Sequence, residues 1–130
     1  EIIFLKRLIH GDQGLPAAVA EKFIGRYGPG ETIFAEGDAG DQMFAVLKGS
    51  AGIWKGGRMI ATVNAGQHFG VVSFLLDSPR IATAVALDDV ELVTITRQNI
   101  SHLMSESPDF ILAMLKETAL RLKETNSLFE

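Results

Sequence analysis

The sequence predicts an α+β protein in which a small β-roll carries helices at both of its ends. Apolar residues recur at helical spacing before residue 28 and after residue 96. Between these ends, ten glycines divide the chain into short segments rich in Ile, Val, Thr, Phe and Trp. Short strands that repeat about every 8–12 residues are typical of a sandwich or barrel. We therefore expect a single domain with N-terminal helices (1–27), a β-roll (28–95) and C-terminal helices (96–130).

The N-terminal part is expected to form two helices. Apolar residues at positions 2, 5, 8 and 9 share one helical face, and Gly11 ends that pattern. A second short helix is predicted over residues 15–24, because Pro16 suits its first turn and Val19 and Phe23 lie on one face.

The central segments are predicted to be strands, because each is short, apolar or β-branched, and bounded by glycine or polar residues. They cover residues 31–35, 43–47, 51–55, 58–63, 81–87 and 90–94. Gly56 and Gly57 stand between two of these segments and indicate a tight β-hairpin.

Helical spacing returns after residue 96. Apolar residues at 100, 103 and 104 predict a short helix with Thr96 as its N-cap. Ser107 and Pro108 suit the N-cap and first turn of a last helix, which we expect to run to Asn126.

Composition limits the classes of function. The 130 residues, 47% of them hydrophobic, suffice for one domain with its own core. A formal net charge of −4 disfavours direct binding of DNA or RNA, which usually needs a basic face. The absence of cysteine excludes disulfides and thiol catalysis. No apolar run approaches the roughly 20 residues that span a bilayer, and no secretory signal is recognised, so we expect no membrane segment and a cytoplasmic location.

The stretch from residue 69 to 83, FGVVSFLLDSPRIAT, is the most informative part of the chain. Phe69 and Gly70 end a strand, and residues 72–76 are expected to form one short helical turn. Unpaired N–H groups at the start of such a turn attract anions. Arg80, ten residues after Gly70, can close on the same anion as a planar fork. These features predict a phosphate-sized pocket without a catalytic group.

This stretch resembles the phosphate-binding cassette of cyclic-nucleotide-binding domains, whose pattern is approximately F-G-E-x-[AS]-L-L-x-x-x-x-R-x-A-[ST]. The residues that match in register are Phe69, Gly70, Ser73, Leu75, Arg80, Ala82 and Thr83. Residues 30–34, 36–38 and 66–70 are similar to further motifs of the family, in the family's order. The resemblance implies a double-stranded β-helix, a jelly-roll-like β-roll of the type found in catabolite activator proteins and kinase regulatory subunits.

The resemblance also implies a ligand site and its occupant. The residues expected to bind the ligand are Phe69, Gly70, Val71, Val72, Ser73, Arg80, Ile81, Ala82 and Thr83. Val72 and Ser73 would act through their backbone N–H groups, and Thr83 would line the base side of the pocket. Ile81 lacks the hydroxyl that helps cGMP-selective members hold guanine, which favours cAMP over cGMP.

Val71 departs from the family pattern, because the family has a glutamate there that accepts a hydrogen bond from the ribose 2′-hydroxyl. Loss of a charged partner of this kind costs about 1.5–3 kcal/mol, or about 10- to 150-fold in affinity. Three interpretations stay open. The site still binds a cyclic nucleotide, it binds no small ligand, or Val71 reshapes it for another anion.

We therefore expect a regulatory binding module and not an enzyme. No Ser–His–Asp order, paired-carboxylate site or Walker-type motif is present, so catalytic residues are expected to be absent. The three histidines, His10, His68 and His102, lack metal-type spacing, so neither a metal nor a cofactor is expected.

Ligand binding is expected to reposition the C-terminal helix, which an effector domain or protein of unknown identity would detect. That helix could also form a homodimer, because five of its residues lie near heptad spacing: Ile111, Leu115, Thr118, Leu122 and Thr125. The alternative function is a degenerate β-roll without a nucleotide ligand, which serves as a structural, dimerisation or protein-interaction module.

Overall fold

The computed structural model describes residues 20–126 of the chain. Six strands precede a short helix, two strands follow it, and two further helices complete the described part. The strands are β1 (Ile24–Tyr27), β2 (Thr32–Phe34), β3 (Gln42–Lys48), β4 (Ser50–Lys55), β5 (Arg58–Asn64), β6 (His68–Phe69), β7 (Thr83–Ala86) and β8 (Val90–Thr96). The helices are α1 (Val71–Leu76), α2 (Ile100–Glu106) and α3 (Pro108–Asn126).

The strands form two four-stranded sheets in which all neighbours are antiparallel. The first sheet has the order β1-β8-β3-β6, and the second has the order β2-β7-β4-β5. Strands that are distant in sequence are thus neighbours in both sheets, as in a roll that is wound from two layers. The predicted class, mainly β with a β-roll followed by helices, is confirmed, and the structure shows the roll as two antiparallel sheets.

The first sheet is the middle layer of the molecule, because its central strands β3 and β8 are buried on both faces. Side chains of a strand alternate between faces. Met43 and Ala45 accordingly join the apolar cluster under the helices, whereas Phe44 and Val46 join the cluster between the two sheets. Burial on both faces explains why residues 43–47 are an uninterrupted apolar run.

The β-roll begins earlier than the sequence predicted. Residues 24–27 form β1 instead of the end of an N-terminal helix, and Ile24 pairs with Val93 of β8. Pairing with a long buried strand outweighs the local helical spacing, a tertiary effect that propensity does not contain. Ala20 and Glu21 are helical. Residues 22 and 23, predicted to be helical, form a turn before β1. The parts of the two predicted helices that precede residue 20 lie outside the described residues.

The starts of α2 and α3 follow the prediction in part. Thr96 is not the N-cap of α2, because it ends β8 and Asn99 takes the cap position. The backbone N–H of Thr96 donates to Asn99 Oδ1 at 2.9 Å, and that of Asn99 donates to Thr96 Oγ1 at 3.2 Å. Ser107 does precede α3, and its carbonyl accepts from the N–H of Phe110 at 3.1 Å.

Helix α3 covers the middle sheet with one face and leaves the other face to solvent. Phe110 is fully buried and Met114 nearly so, both in the cluster with α2 and the first sheet. Leu112, Leu115 and Leu120 lie on exposed surface. Among residues 20–126, the helices are too short or too polar to cross a membrane.

Candidate ligand-binding site

A cavity of about 480 Å³ lies between the second sheet, residues 69–82 and the last turns of α3. Its wall is mostly apolar, with Phe34, Ile53 and Val63 from the strands. The side chains of Ser73, Arg80, Thr118 and Arg121 supply polar groups to the lining. A cavity of this size with few convergent polar groups is typical of a small-molecule site.

Gly70 sets the geometry at the start of α1. It adopts φ +77°, a left-handed conformation that side-chain-bearing residues rarely take. A Cβ at this position would lie 2.9 Å from Arg80 Nη1. The missing side chain therefore permits both the turn into α1 and the close approach of the arginine.

The Arg80 side chain is turned inwards, and only 4% of the residue is exposed. Its Nη1 donates to the carbonyl oxygen of Gly70 at 3.0 Å and to Ser73 Oγ at 2.7 Å. Its Nη2 donates to the carbonyl oxygen of Gln42 on β3. The guanidinium therefore ties the start of α1 to the middle sheet.

The surroundings of Arg80 leave part of its binding capacity unused. The guanidinium carbon lies 4.1 Å from the centroid of the Phe34 ring, a cation–π contact. Nε is buried without a hydrogen-bond partner, although buried donors are normally paired. Burial lowers the pKa of Arg80, while the carboxylates of Asp41 and Asp38 oppose this effect. Arg80 remains a cation, so the cavity floor attracts an anion that offers acceptor oxygens.

The backbone of Arg80 is held by the loop that follows β2. The N–H of Gly37 donates to the Arg80 carbonyl oxygen, and the Arg80 N–H donates to the Asp38 carbonyl oxygen, both at 2.8 Å. Gly40 allows this loop to approach α1, because a Cβ there would lie 2.5 Å from the Ser73 Cβ. The sequence motif at residues 36–38 thus positions the arginine rather than the ligand.

Arg97 fixes the other end of α1. Its Nη2 donates to the carbonyl oxygen of Phe74 at 2.8 Å, and its guanidinium carbon lies 4.7 Å from the Phe74 ring centroid. A cation at a helix C-terminus also interacts favourably with the helix dipole. Arginines therefore hold both ends of a six-residue helix.

The structure brings together most of the residues that the sequence predicted for the site. Eight of the nine line the cavity: Phe69, Gly70, Val71, Val72, Ser73, Arg80, Ile81 and Ala82. Thr83 does not, contrary to expectation, because its hydroxyl accepts a hydrogen bond from the N–H of Glu36 at 2.9 Å. Val71 is half-buried and also packs against the apolar cluster beneath the helices.

The sequence analysis missed the walls that face the cassette. They consist of Phe34, Ile53, Ile60, Ala61 and Val63 from the strands and Thr118, Arg121 and Leu122 from α3. Apart from Phe34, which lies in the motif at residues 30–34, these residues carry no local motif. They reach the cavity only through strand pairing and the packing of α3.

A cluster of polar residues joins β6 to α3 beside the cavity. The ring of His68 is almost fully buried, and its Nδ1 lies 2.9 Å from Glu117 Oε1. Because a carboxylate accepts hydrogen bonds, Nδ1 carries the hydrogen in the neutral ring, and Nε2 is buried without a partner. Arg121 Nη2 donates to the carbonyl oxygen of His68 at 2.6 Å and to Glu117 Oε1 at 2.7 Å.

This geometry agrees with what comparison with known proteins finds. Residues 24–107 match the profile described as "Cyclic nucleotide-binding domain". The chain belongs to this family. The resemblance on which the site residues were predicted is thereby confirmed, as is the β-roll fold.

Two of the similar proteins are much longer than this cyclic nucleotide-binding domain. Over 79 residues it is 30% identical to the cAMP-dependent protein kinase regulatory subunit of Hypocrea atroviridis. The aligned stretch covers 61% of this chain and 17% of the subunit. Over 114 residues it is 31% identical to the cGMP-dependent protein kinase of Toxoplasma gondii. This alignment covers 88% of this chain and 11% of the kinase. The chain thus spans less than a fifth of these relatives.

A solved structure of a similar protein has the same fold. The catabolite activator protein of Thermus thermophilus superimposes with a TM-score of 0.70 and 29% identity, which covers 89% of this chain and 59% of that one.

The His68 cluster predicts a pH-dependent stability. Burial lowers the pKa of His68 below its ordinary value of 6.5, against the opposing effect of Glu117. Burial would raise the pKa of Glu117, but hydrogen bonds from His68 and Arg121 outweigh it and lower that pKa. As the pH falls, His68 and Glu117 therefore take up protons at a higher pH in the unfolded chain than in the folded protein. The free energy of unfolding should decline below about pH 6.5, and further where Glu117 protonates.

Urea unfolding between about pH 8 and pH 5 measures this effect, with stability expected to be greatest at the upper end of the range. His68→Gln keeps a donor for Glu117 but does not titrate, so its curve should be flatter. His102→Gln, at an exposed position on α2, is the matched control. An unchanged slope in His68→Gln would contradict the assignment.

Proposed function

We propose that this domain is a regulatory sensor that binds cAMP, in preference to cGMP, in the cavity beside α1. The main support is Arg80, a buried cation with an unpartnered Nε at the floor of an apolar cavity. The exocyclic oxygens of a cyclic phosphate offer the acceptor that Nε lacks, and the apolar wall offers contact to a base.

The preference for cAMP rests on Ile81. This residue lines the cavity, is 69% exposed and presents no hydroxyl to a guanine. Among the relatives, the Hypocrea atroviridis subunit is named for cAMP and the Toxoplasma gondii kinase for cGMP. Since the family includes both, the assignment depends on this chain's own residues.

The proposed mechanism is a population shift. A phosphate that approaches Arg80 competes with the carbonyl oxygen of Gly70 and the hydroxyl of Ser73 for the same Nη1. Release of these acceptors frees the start of α1, and α3 lines the same cavity through Thr118 and Leu122. Movement of α3 would then reach an effector domain or protein.

We regard the domain as a binding module and not an enzyme. In the described part of the chain, no His, Asp or Glu lines the cavity to serve as a general base. The hydroxyl of Ser73 is engaged by Arg80. These features support binding without a chemical step.

We further propose a homodimer through α3, although its apolar stripe differs from the predicted one. Ile111 is half-buried against the core and Thr118 is half-buried in the cavity wall, so neither is available to a second chain. The exposed stripe, which we name the α3 stripe, consists of Leu112, Leu115, Ala119 and Leu122. Leu122 also borders the cavity, but 60% of it is exposed. Its 3-4-3 spacing is that of the a and d positions of a coiled coil.

Arg80→Ala should abolish cAMP binding, because it removes the cation that would hold the phosphate. Isothermal titration with cAMP and then cGMP, taken to millimolar ligand, is the measurement. Arg80→Lys should bind more weakly than the unsubstituted protein, because an ammonium lacks the planar fork. Arg58→Ala, at an exposed strand end, is the matched control. Unchanged affinity in a folded Arg80→Ala protein would overturn the proposed function.

Val71→Glu distinguishes a sensor from the alternative, a degenerate roll that acts only as a structural, dimerisation or protein-interaction module. A carboxylate at this lining position can accept a bond from a ribose hydroxyl. The affinity for cAMP should then rise about 10- to 150-fold. Val71→Gln separates the effect of charge from that of size. No gain in affinity, together with lower stability from a buried charge, would favour the ligand-free module.

Leu115→Glu should shift the protein to monomers in sedimentation velocity, because it places a charge in the centre of the α3 stripe. Leu120→Glu is the matched control, since Leu120 is 59% exposed compared with 57% for Leu115 but lies off the stripe. If both variants sediment like the unsubstituted protein, the proposed interface is wrong.

A further inference from the structure

The main chain changes its support between Arg80 and Thr83, where it leaves the cassette. Arg80 is held by the loop that follows β2, through two main-chain hydrogen bonds of 2.8 Å. From Thr83 onwards the chain belongs to β7, and Thr83 pairs with Trp54 of β4. Ile81 lies between these two supports.

Lys55 supplies a support in this gap. It is the last residue of β4, one position beyond the pair that Trp54 forms with Thr83. Its Nζ donates to the carbonyl oxygen of Ile81 at 2.9 Å and to Glu36 Oε2 at 3.2 Å. The N–H of Glu36 in turn donates to Thr83 Oγ1 at 2.9 Å. The lysine thus fixes the main chain of Ile81 from outside the cavity, whose wall does not include it.

The position of the Ile81 side chain depends on this hold. The side chain borders the cavity although 69% of the residue is exposed. Because the free energy of apolar packing scales with the area removed from water, packing alone restrains such a side chain weakly. The direction in which it points is therefore set mainly by its main chain, to which Lys55 donates.

We propose that Lys55 is a positioning residue that sets nucleotide specificity by holding Ile81 beside the base of the ligand. This inference rests on the proposed function and adds to the same site a determinant that lies outside the cavity. Arg80, which would hold the phosphate, has its own main-chain support in the loop after β2. The phosphate contact is common to cAMP and cGMP, whereas the contact with Ile81 distinguishes them. Loss of the lysine therefore weakens discrimination between the nucleotides more than it weakens the grip on the phosphate.

Lys55→Met removes the donors and keeps an unbranched side chain of similar length. The affinity for cAMP should fall about threefold, as expected for an exposed charged contact, and the affinity for cGMP should change by less than about 1.5-fold. Isothermal titration with each nucleotide measures both constants, and their ratio should move towards one. Lys55→Arg keeps the charge and N–H donors, so it should restore most of the discrimination.

Ile81→Ala tests whether Lys55 acts through that side chain, and this comparison needs cAMP alone. In the Ile81→Ala background, Lys55→Met should have no further effect on the affinity, because the contact that it positions is already gone. Independent contributions would instead multiply. Arg58→Met is the matched control, since it removes a cation directly opposite Lys55 in the β4–β5 hairpin and should leave both affinities unchanged.

Equal losses of affinity for cAMP and cGMP in Lys55→Met would overturn the inference, because they would indicate a general loosening of the domain. Multiplied effects in the double variant, or no effect of Lys55→Met, would also overturn it. In each of these cases, saturable binding by the unsubstituted protein leaves the proposed function standing. Absence of binding by the unsubstituted protein at millimolar cAMP would overturn both. Thermal unfolding of each variant verifies that the fold persists.

Discussion

The ligand cavity depends above all on the buried guanidinium of Arg80. It joins the middle sheet to the start of α1 through the carbonyl oxygens of Gln42 and Gly70, and it lies against the ring of Phe34. A buried acceptor that loses its donor costs about 1–3 kcal/mol, so these contacts strongly favour one arrangement of the cassette. The same group is the strongest attraction for an anion. Under the proposed function, the stability of the empty site and the affinity for a ligand compete for one side chain, which is the physical basis of the proposed switch.

Burial of the first sheet on both faces places this switch next to α3. Because β3 and β8 carry apolar residues on both sides, the sheet supports a second sheet on one face and the helices on the other. Strand β6 lies at the edge of that sheet and runs directly into α1. The edge strand thus leads into the wall of the cavity, and α3, which lines the same cavity, holds this strand at His68.

The cassette was predictable from the sequence because it is local. The eight predicted residues that line the cavity fall within fourteen positions of the chain, so a strand, a turn and a short helix suffice to bring them together. Thr83 does not line the cavity, and its hydroxyl is engaged by the N–H of Glu36, which is 47 residues away in sequence. The facing wall was missed for the same reason. Strand pairing and helix packing bring Ile53, Val63 and Arg121 to the cavity, and no short motif records them.

The order of elements, the glycine-bounded strands, the buried runs and the cassette follow from the sequence itself, because periodicity, turn residues and close spacing act over a few positions. Only the tertiary structure decided that residues 24–27 form a strand, that Arg80 turns inwards and that the exposed stripe of α3 begins at Leu112 rather than Ile111. Each of these depends on which distant segment supplies a partner or covers a face. Such long-range choices are set by the packing of the whole chain, and a local pattern does not contain them.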